Sequence, residues 1–184
     1  MPKFDKKQFM KNVTFLIDTR EQVNDHIVSF LDKCGIKHES RKLDFGDYSF
    51  LLGDNDFSKS CVVERKANVD ELYNNVMQDR ARIEKELYTA RNNAQDVTLM
   101  LETVADYDEL EAYVVPEWQM KRDSQRVVSA IGKPVSATLR AWERGNRYGF
   151  KVEFVKDKEN TAKRMLQIFY AFAHNYEEQT AARK

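Results

Sequence analysis

The stretch Phe45-Gly46-Asp47-Tyr48-Ser49-Phe50-Leu51-Leu52-Gly53-Asp54-Asn55-Asp56, followed by Cys61-Val62-Val63-Glu64-Arg65-Lys66, decides how this chain is read. Tyr48 to Leu52 and Cys61 to Lys66 are short runs rich in β-branched and aromatic residues, and Gly53-Asp54-Asn55-Asp56 is a dense turn signal between them. The pattern predicts a hairpin. With its tip between Asn55 and Asp56, Asp47 and Glu64 lie equally far from the turn and face each other. Directly opposed positions bring Cβ atoms to about 4.5–5.5 Å, where two carboxylates repel unless a cation or a proton is shared. A divalent metal relieves that repulsion, and two carboxylates plus waters and a phosphate describe how magnesium is usually held in phosphoryl-transfer sites. Lys66 shares the face of Glu64 at a rise of about 7 Å, near enough to hold a phosphate or an attacking water. The bland alternative is a surface hairpin whose carboxylates pair with Lys66, and these three residues alone favour neither.

Outward from the hairpin, strands and helices alternate, which predicts an α/β fold. Val13 to Ile17 reads as a buried strand ended by Asp18. Val23, Ile27, Phe30 and Leu31 then repeat at helical spacing up to Gly35, and Ile36 to Leu43 is extended. Asn68 is expected to cap one long helix, with Glu71 as its box partner and Val69, Leu72, Tyr73, Val76, Met77, Ile83 and Leu87 as the apolar stripe, on which Arg80 also falls. Val97 to Leu101 reads as a second buried strand, ended by Glu102. A helical region from about Trp118 to Arg144, a strand Gly149 to Val155 and a last helix Asn160 to Tyr176 follow. With few glycines and prolines and no linker or repeat, residues 13–176 read as a single domain between a polar leader, 1–12, and a polar tail, 177–184.

The 184 residues are enough for one core without disulfides, and with 11% aromatics the chain is far from the composition of disorder. Cys34 and Cys61 form no CxxC, and His26, His38 and His174 are scattered, so no zinc site or disulfide framework is legible and a reducing, intracellular setting follows. No segment reads as a secretory leader or a membrane span. Thirty Lys and Arg balance thirty Asp and Glu, so a polyanion must be met by a local patch. Asp96 to Glu117 holds seven acidic residues and no Lys or Arg, whereas Lys121, Arg122, Arg126, Lys133, Arg140, Arg144, Arg147 and Lys151 cluster next, facing only Asp123 and Glu143. That second block is either a phosphate-facing surface or a solvated helix face. In the last helix Ala162, Met165, Leu166, Ile168, Phe169, Tyr170, Phe172 and Ala173 exceed one buried stripe, which predicts that a second copy covers the surplus and that the chain is a homodimer through this part.

Ile17-Asp18-Thr19-Arg20-Glu21, Phe45-Gly46-Asp47-Tyr48 and Val63-Glu64-Arg65-Lys66 with Asp70 four residues on resemble the GD…ERKxxxD signature of the XPF family of structure-specific endonucleases. The likeness continues through Asp79 to Glu84, Leu99 to Glu102, Arg147 to Phe154 and Thr161-Ala162, so it covers about Val13 to Tyr176 and is closest to the short bacterial and phage members. The resemblance implies a restriction-endonuclease-like, PD-(D/E)xK fold, a central mixed sheet flanked by helices. It also implies an enzyme that cuts DNA near branch points, flaps or forks with magnesium or manganese, in the cytoplasm of a bacterial or phage-infected cell. Asp47 and Glu64 become metal ligands, Asp18 a third acidic contributor, and Lys66 the base that positions phosphate or water. Asp18 has a strand-end cap as its plainer role. Arg20 becomes a partner for phosphate or carboxylate, with Glu21 beside it in the same motif.

Arg65 points to the opposite strand face, which suits a salt bridge rather than chemistry. Asp70 favours the helix dipole or lies near the site, and Arg80 and Arg82 are carried over with it. Lys121, Arg122, Arg126, Arg140 and Arg144 are the candidate DNA contacts. No helix-hairpin-helix or helicase-like stretch is read here, which leaves junction preference open. Two other readings stand beside the nuclease. One is a non-catalytic DNA-binding or scaffold subunit of the same fold; the other is a restriction enzyme, which needs base contacts that nothing in the sequence reveals.

Overall fold

A computed structural model describes residues 5–122 and 128–182, the side chains of residues 121 and 122 excepted. The element order is α1 (Lys6–Asn12), β1 (Val13–Ile17), α2 (Asp25–Lys33), β2 (Lys37–Ser40), β3 (Tyr48–Leu52), β4 (Asn55–Asp56) and β5 (Cys61–Lys66), then α3 (Val69–Tyr73), a π-helical turn Asn74–Gln78 and α4 (Arg80–Asn93). β6 (Asp96–Glu102), α5 (Tyr107–Ala112), α6 (Glu117–Arg122), α7 (Gly132–Arg144), β7 (Phe150–Val155) and α8 (Thr161–Ala182) complete it. The strands form one mixed sheet in the order β2-β1-β3-β5-β6-β7, with β4 paired to β3. β1 and β3, and β3 and β5, run antiparallel, while β5, β6 and β7 run parallel to one another. This is the α/β restriction-endonuclease-like architecture, a central mixed sheet with helices on both faces.

Strand alternation divides the core in two. Phe15, Ile17, Tyr48, Phe50, Val63 and Met100 join Phe9, Ile27, Leu31 and the α8 residues Met165 and Phe169 on one face. Val62, Val97, Leu99 and Leu101 join Leu72, Ile83, Leu87, Leu139 and Trp142 on the other. Cys61, Val63 and Arg65 therefore face the α8 side, and Val62, Glu64 and Lys66 the α4 side.

Three expectations about these elements differ from what is found. The turn of the hairpin is Gly53-Asp54, since Leu52 pairs with Asn55 in β4, and a second turn at 57–60 restores the frame so that Tyr48 pairs with Val63. The long helix from Asn68 is interrupted by the π-helical turn, and Asp79 leaves helical geometry at φ −105°, ψ 31°, so the phase of α4 shifts. The region Trp118 to Arg144 is two helices with non-helical backbone at 128–131, and α5 precedes them unforeseen.

Part of the surplus apolar surface of the last helix is covered from within the chain, with Ile168, Tyr170 and Phe172 half-buried. Tyr170 meets Phe9 of α1 at 5.4 Å between ring centroids, and Phe57 in the second hairpin turn meets Phe172 at 5.8 Å and Tyr176 at 5.2 Å. The stretch read as a polar leader supplies that cover through helix α1 with Phe9 buried, and the stretch read as a polar tail is helical to Ala182. Contacts within the chain thus account for part of the aromatic content of α8 that had suggested a second copy.

Candidate active site

The Gly46-Asp47 step begins the site. Gly46 sits at φ +73°, and a Cβ there would lie 3.0 Å from the Cβ of Val62, so glycine alone lets the loop press onto β5 in this conformation. Asp47 then bonds in three directions. Its N–H donates to Val63 O at 2.9 Å, its carbonyl accepts from Asp18 N at 2.8 Å, and its Oδ2 accepts from Arg65 N at 2.8 Å. A side chain thus takes the ladder bond that a regular hairpin would give to backbone.

Tyr48 and Val63 pair directly, so Asp47 and Glu64 are brought together at the β3–β5 seam as the spacing predicted. Burial first, and then the Glu64 charge, push the Asp47 carboxyl well above the usual carboxylate range. Glu64 Oε1 accepts from Lys66 Nζ at 2.8 Å. Burial works to lower the Lys66 ammonium, but Glu64 and Asp47 outweigh it and hold Lys66 above its ordinary value. In this state Lys66 is a charged donor rather than a base. Glu71, which the sequence reading used only as a cap partner, stands 3.7 Å from Lys66 Nζ and accepts from Ala67 N at 2.9 Å.

Asp47, Glu64, Lys66 and Arg20 line one cleft of about 440 Å³ between β5 and α4. Asp18 is not among the residues that line this cleft. It is buried, Oδ1 accepts from Arg20 N at 2.8 Å and Arg20 Nε at 2.6 Å, and Oδ2 accepts from Leu43 N at 2.6 Å and Arg20 Nη2 at 3.2 Å. Burial opposes its charge, yet Arg20 and Leu43 N hold its carboxyl below the usual value. Asp18 therefore acts on the cleft through Arg20, whose side chain is 65% exposed at the rim.

Arg65 lies on the opposite face, as the period-two rule requires. Its guanidinium donates to Glu102 Oε2 at 2.9 Å, Glu21 Oε1 at 2.5 Å and Val23 O at 2.9 Å. Glu102 Oε1 in turn accepts from Thr161 Oγ1 at 2.6 Å and lies 2.8 Å from His26 Nε2. Glu21, Arg65 and Glu102 thus form a buried brace behind β5, joined to α2 and to the start of α8. Nothing in the sequence marked His26 or Thr161 for it.

Asp70 accepts from Tyr113 at 2.9 Å and does not line the cleft. Arg80 is also turned away, pairing with Glu84 at 2.8 Å and standing 5.2 Å over Trp142, because the shifted phase of α4 presents Arg82, Lys85 and Thr89 to the cleft instead. Of the basic block, Lys121, Arg122 and Arg126 fall outside the described side chains. Arg140 stacks on Tyr107 at 4.2 Å and pairs with Asp108 at 3.5 Å, and Lys151 pairs with Asp96 at 3.0 Å, so part of the block neutralises the acidic stretch before it. Arg144 is exposed.

No group of three or more His, Cys, Asp or Glu able to hold a metal occurs among the described residues. The site offers two facing carboxylates, and burial first and then the Glu64 charge raise the carboxyl of Asp47. That donor set fits a hard cation, magnesium or manganese, completing its shell with water and substrate.

Solved structures of XPF proteins share the fold. XPF from Aeropyrum pernix matches at TM-score 0.57 and 18% identity over 85% of this chain and 59% of that one. The same protein in complex with DNA matches at 0.57 and 18% over 88% and 65%. The chain thus spans about three-fifths of the length of those proteins. No curated protein matches, and no helix among the described residues is long and apolar enough to cross a membrane. The ERCC4 domain model matches residues 17–168, most of the chain, and with the nuclease-type fold and the cleft now described the protein belongs to the ERCC4 domain family.

Proposed function

We propose that this protein is a divalent-metal-dependent DNA endonuclease that hydrolyses phosphodiester bonds at branched, flap or fork structures. One observation carries the reading. Asp47 and Glu64 meet at a seam where burial and then the Glu64 charge raise the Asp47 carboxyl, and Lys66 stands on Glu64 at 2.8 Å, all in one cleft with Arg20. Asp47 and Glu64 hold magnesium or manganese, which when bound polarises the phosphoryl oxygen and lowers the pKa of bound water. Lys66, held charged, orients the phosphate by donating to a non-bridging oxygen, and Arg20, fixed by Asp18, neutralises charge at the rim. DNA as the partner is supported by family membership and by the DNA complex of the structural relative. Pairing of two copies, and a cytoplasmic setting in a bacterial or phage-infected cell, rest on the family resemblance.

Purified protein incubated with linear duplex, flap and fork DNA, with magnesium, manganese or chelator, tests the reading. Metal-dependent cutting of the branched substrates, lost in Glu64→Gln, is the expected result. Binding without cutting at any metal concentration makes the chain a scaffold subunit instead.

A further inference from the structure

The cleft has two chemically different ends. Along β5 it runs from Lys66 past Glu64 to Val62, about 13 Å at the rise of a strand. β5 and β6 are parallel, so the connecting helix α4 runs back along them, placing Arg82 toward the Lys66 end and Ala90 toward the Val62 end. At that far end Val62 pairs with Val97, and Phe45, Leu87 and Ala90 complete an apolar floor open to the same cavity.

A phosphodiester backbone has no use for such a floor. The largest apolar surfaces of a DNA strand are the faces of its bases, which a duplex keeps stacked, so a base can lay its face on this floor only once it is unstacked. Arg20, Lys66, Arg82 and Lys85 line the cavity together with Asp44 and Glu86, with Arg82 paired to Glu86 at 3.2 Å and Lys85 free of a carboxylate partner among the described residues, so cations are at hand for the phosphates of a strand lying there. Taking the nuclease reading as its premise, we propose that the far end is a nucleobase subsite, receiving one unstacked base of the strand whose phosphate lies at Asp47, Glu64 and Lys66. The site then selects DNA whose nucleotide beside the cut is already unpaired, because a paired base must first leave its stack. Shape and apolar contact supply the grip, which predicts tolerance of all four bases.

A fork substrate with one abasic tetrahydrofuran nucleotide, walked through the positions flanking the cut, tests this. One position is expected to lower kcat/KM by about tenfold, the size of one lost base contact, and the others by little. In Ala90→Leu, which fills the floor, the ratio between the intact and abasic substrates should fall to about one, with circular dichroism verifying the fold. Binding is read separately by 2-aminopurine at the same positions, with wild-type protein in chelator. A fluorescence change confined to one position supports the subsite even if no DNA is cut, an outcome that removes the nuclease reading but not the pocket. A flat abasic profile, or 2-aminopurine emission that protein leaves unchanged at every position, overturns it.

Discussion

The backbone N–H of Arg65 donates to the carboxylate of Asp47 at 2.8 Å. The residue that sits between two candidate catalytic groups, Glu64 and Lys66, is thereby tied to the third, so strand geometry and site geometry are set by one bond. Asparagine at 47 keeps an oxygen for that N–H and removes the charge that faces Glu64. Asp47→Asn is expected to match or exceed wild-type stability in chelator, while cleavage falls by at least about a hundredfold. Asp47→Ala loses the acceptor as well and should lie about 1–2 kcal/mol below Asp47→Asn in denaturant unfolding. Equal stability of the two variants would show that the Arg65 bond contributes nothing.

Metal should stabilise the fold through the same pair of carboxylates. At a hundred times its Kd, a ligand of the native state adds about 2.7 kcal/mol. Magnesium or manganese is therefore expected to raise the melting temperature of wild type and of Lys66→Met, and to leave Asp47→Asn and Glu64→Gln unmoved. A shift that survives both carboxylate variants would place the ion elsewhere.

Asp18 gives the protein a pH dependence of known sign. Its folded pKa lies below the ordinary 3.8, held down by Arg20 and Leu43 N against its burial. A depressed acid contributes stability that is fully present above its unfolded pKa and is lost as pH falls through the folded one. The stability difference between wild type and Asp18→Asn is thus expected to be constant from neutral pH to about 5, then to close as pH falls below about 4. A gap that widened on acidification would contradict the geometry around Asp18.

Much of this was legible in the chain because local rules and the fold agree. The turn signal placed Tyr48 opposite Val63, and hence Asp47 beside Glu64, even though the tip lies at Gly53-Asp54; the four residues at 57–60 compensate for the displaced turn. Alternation alone put Arg65 on the far face. What was not legible came from tertiary geometry. A π-helical turn adds a residue to one helical turn, so periodicity read through Asn74–Gln78 put Arg80 on the core stripe, carried Arg82 only alongside it by resemblance, and left Lys85 unassigned to the cleft. Asp18 could not be told from a ligand by sequence, since only its bonds to Arg20 and Leu43 reveal how its oxygens are spent. Phe57 and Phe9, far from α8 in sequence, cover part of the ring surface that had suggested a partner.

The brace behind β5 should matter to stability and activity together. Glu102 carries bonds from Arg65 and Thr161 and the 2.8 Å contact with His26, and it is buried with Arg65 and Thr161. Removing one partner of a buried ion pair leaves the other charge uncompensated, at a cost of about 3–5 kcal/mol. Glu102→Ala is expected to lose that much, whereas Thr161→Val, which removes one donor, should lose about 1–2 kcal/mol. Because Arg65 N also holds Asp47, the folded fraction of Thr161→Val should show a lower kcat with KM little changed.

The last prediction separates cations that face DNA from cations already occupied. Lys85 lines the cleft, is exposed, and pairs with no carboxylate among the described residues, whereas Arg140 is held by Asp108 at 3.5 Å and by the Tyr107 ring at 4.2 Å. Each phosphate neutralised by a protein cation releases condensed counterions, so log K falls against log salt with a slope of about 0.9 per contact. Lys85→Ala is expected to make that slope shallower by about 0.9 for fork DNA in chelator. Arg140→Ala should change it by far less, since binding there first requires the Asp108 pair to open and leaves an exposed carboxylate beside the DNA. Titrations of the two variants from low to physiological salt decide the matter. If Arg140→Ala carries the larger slope change, the strand runs over α7 instead of through the cleft between β5 and α4.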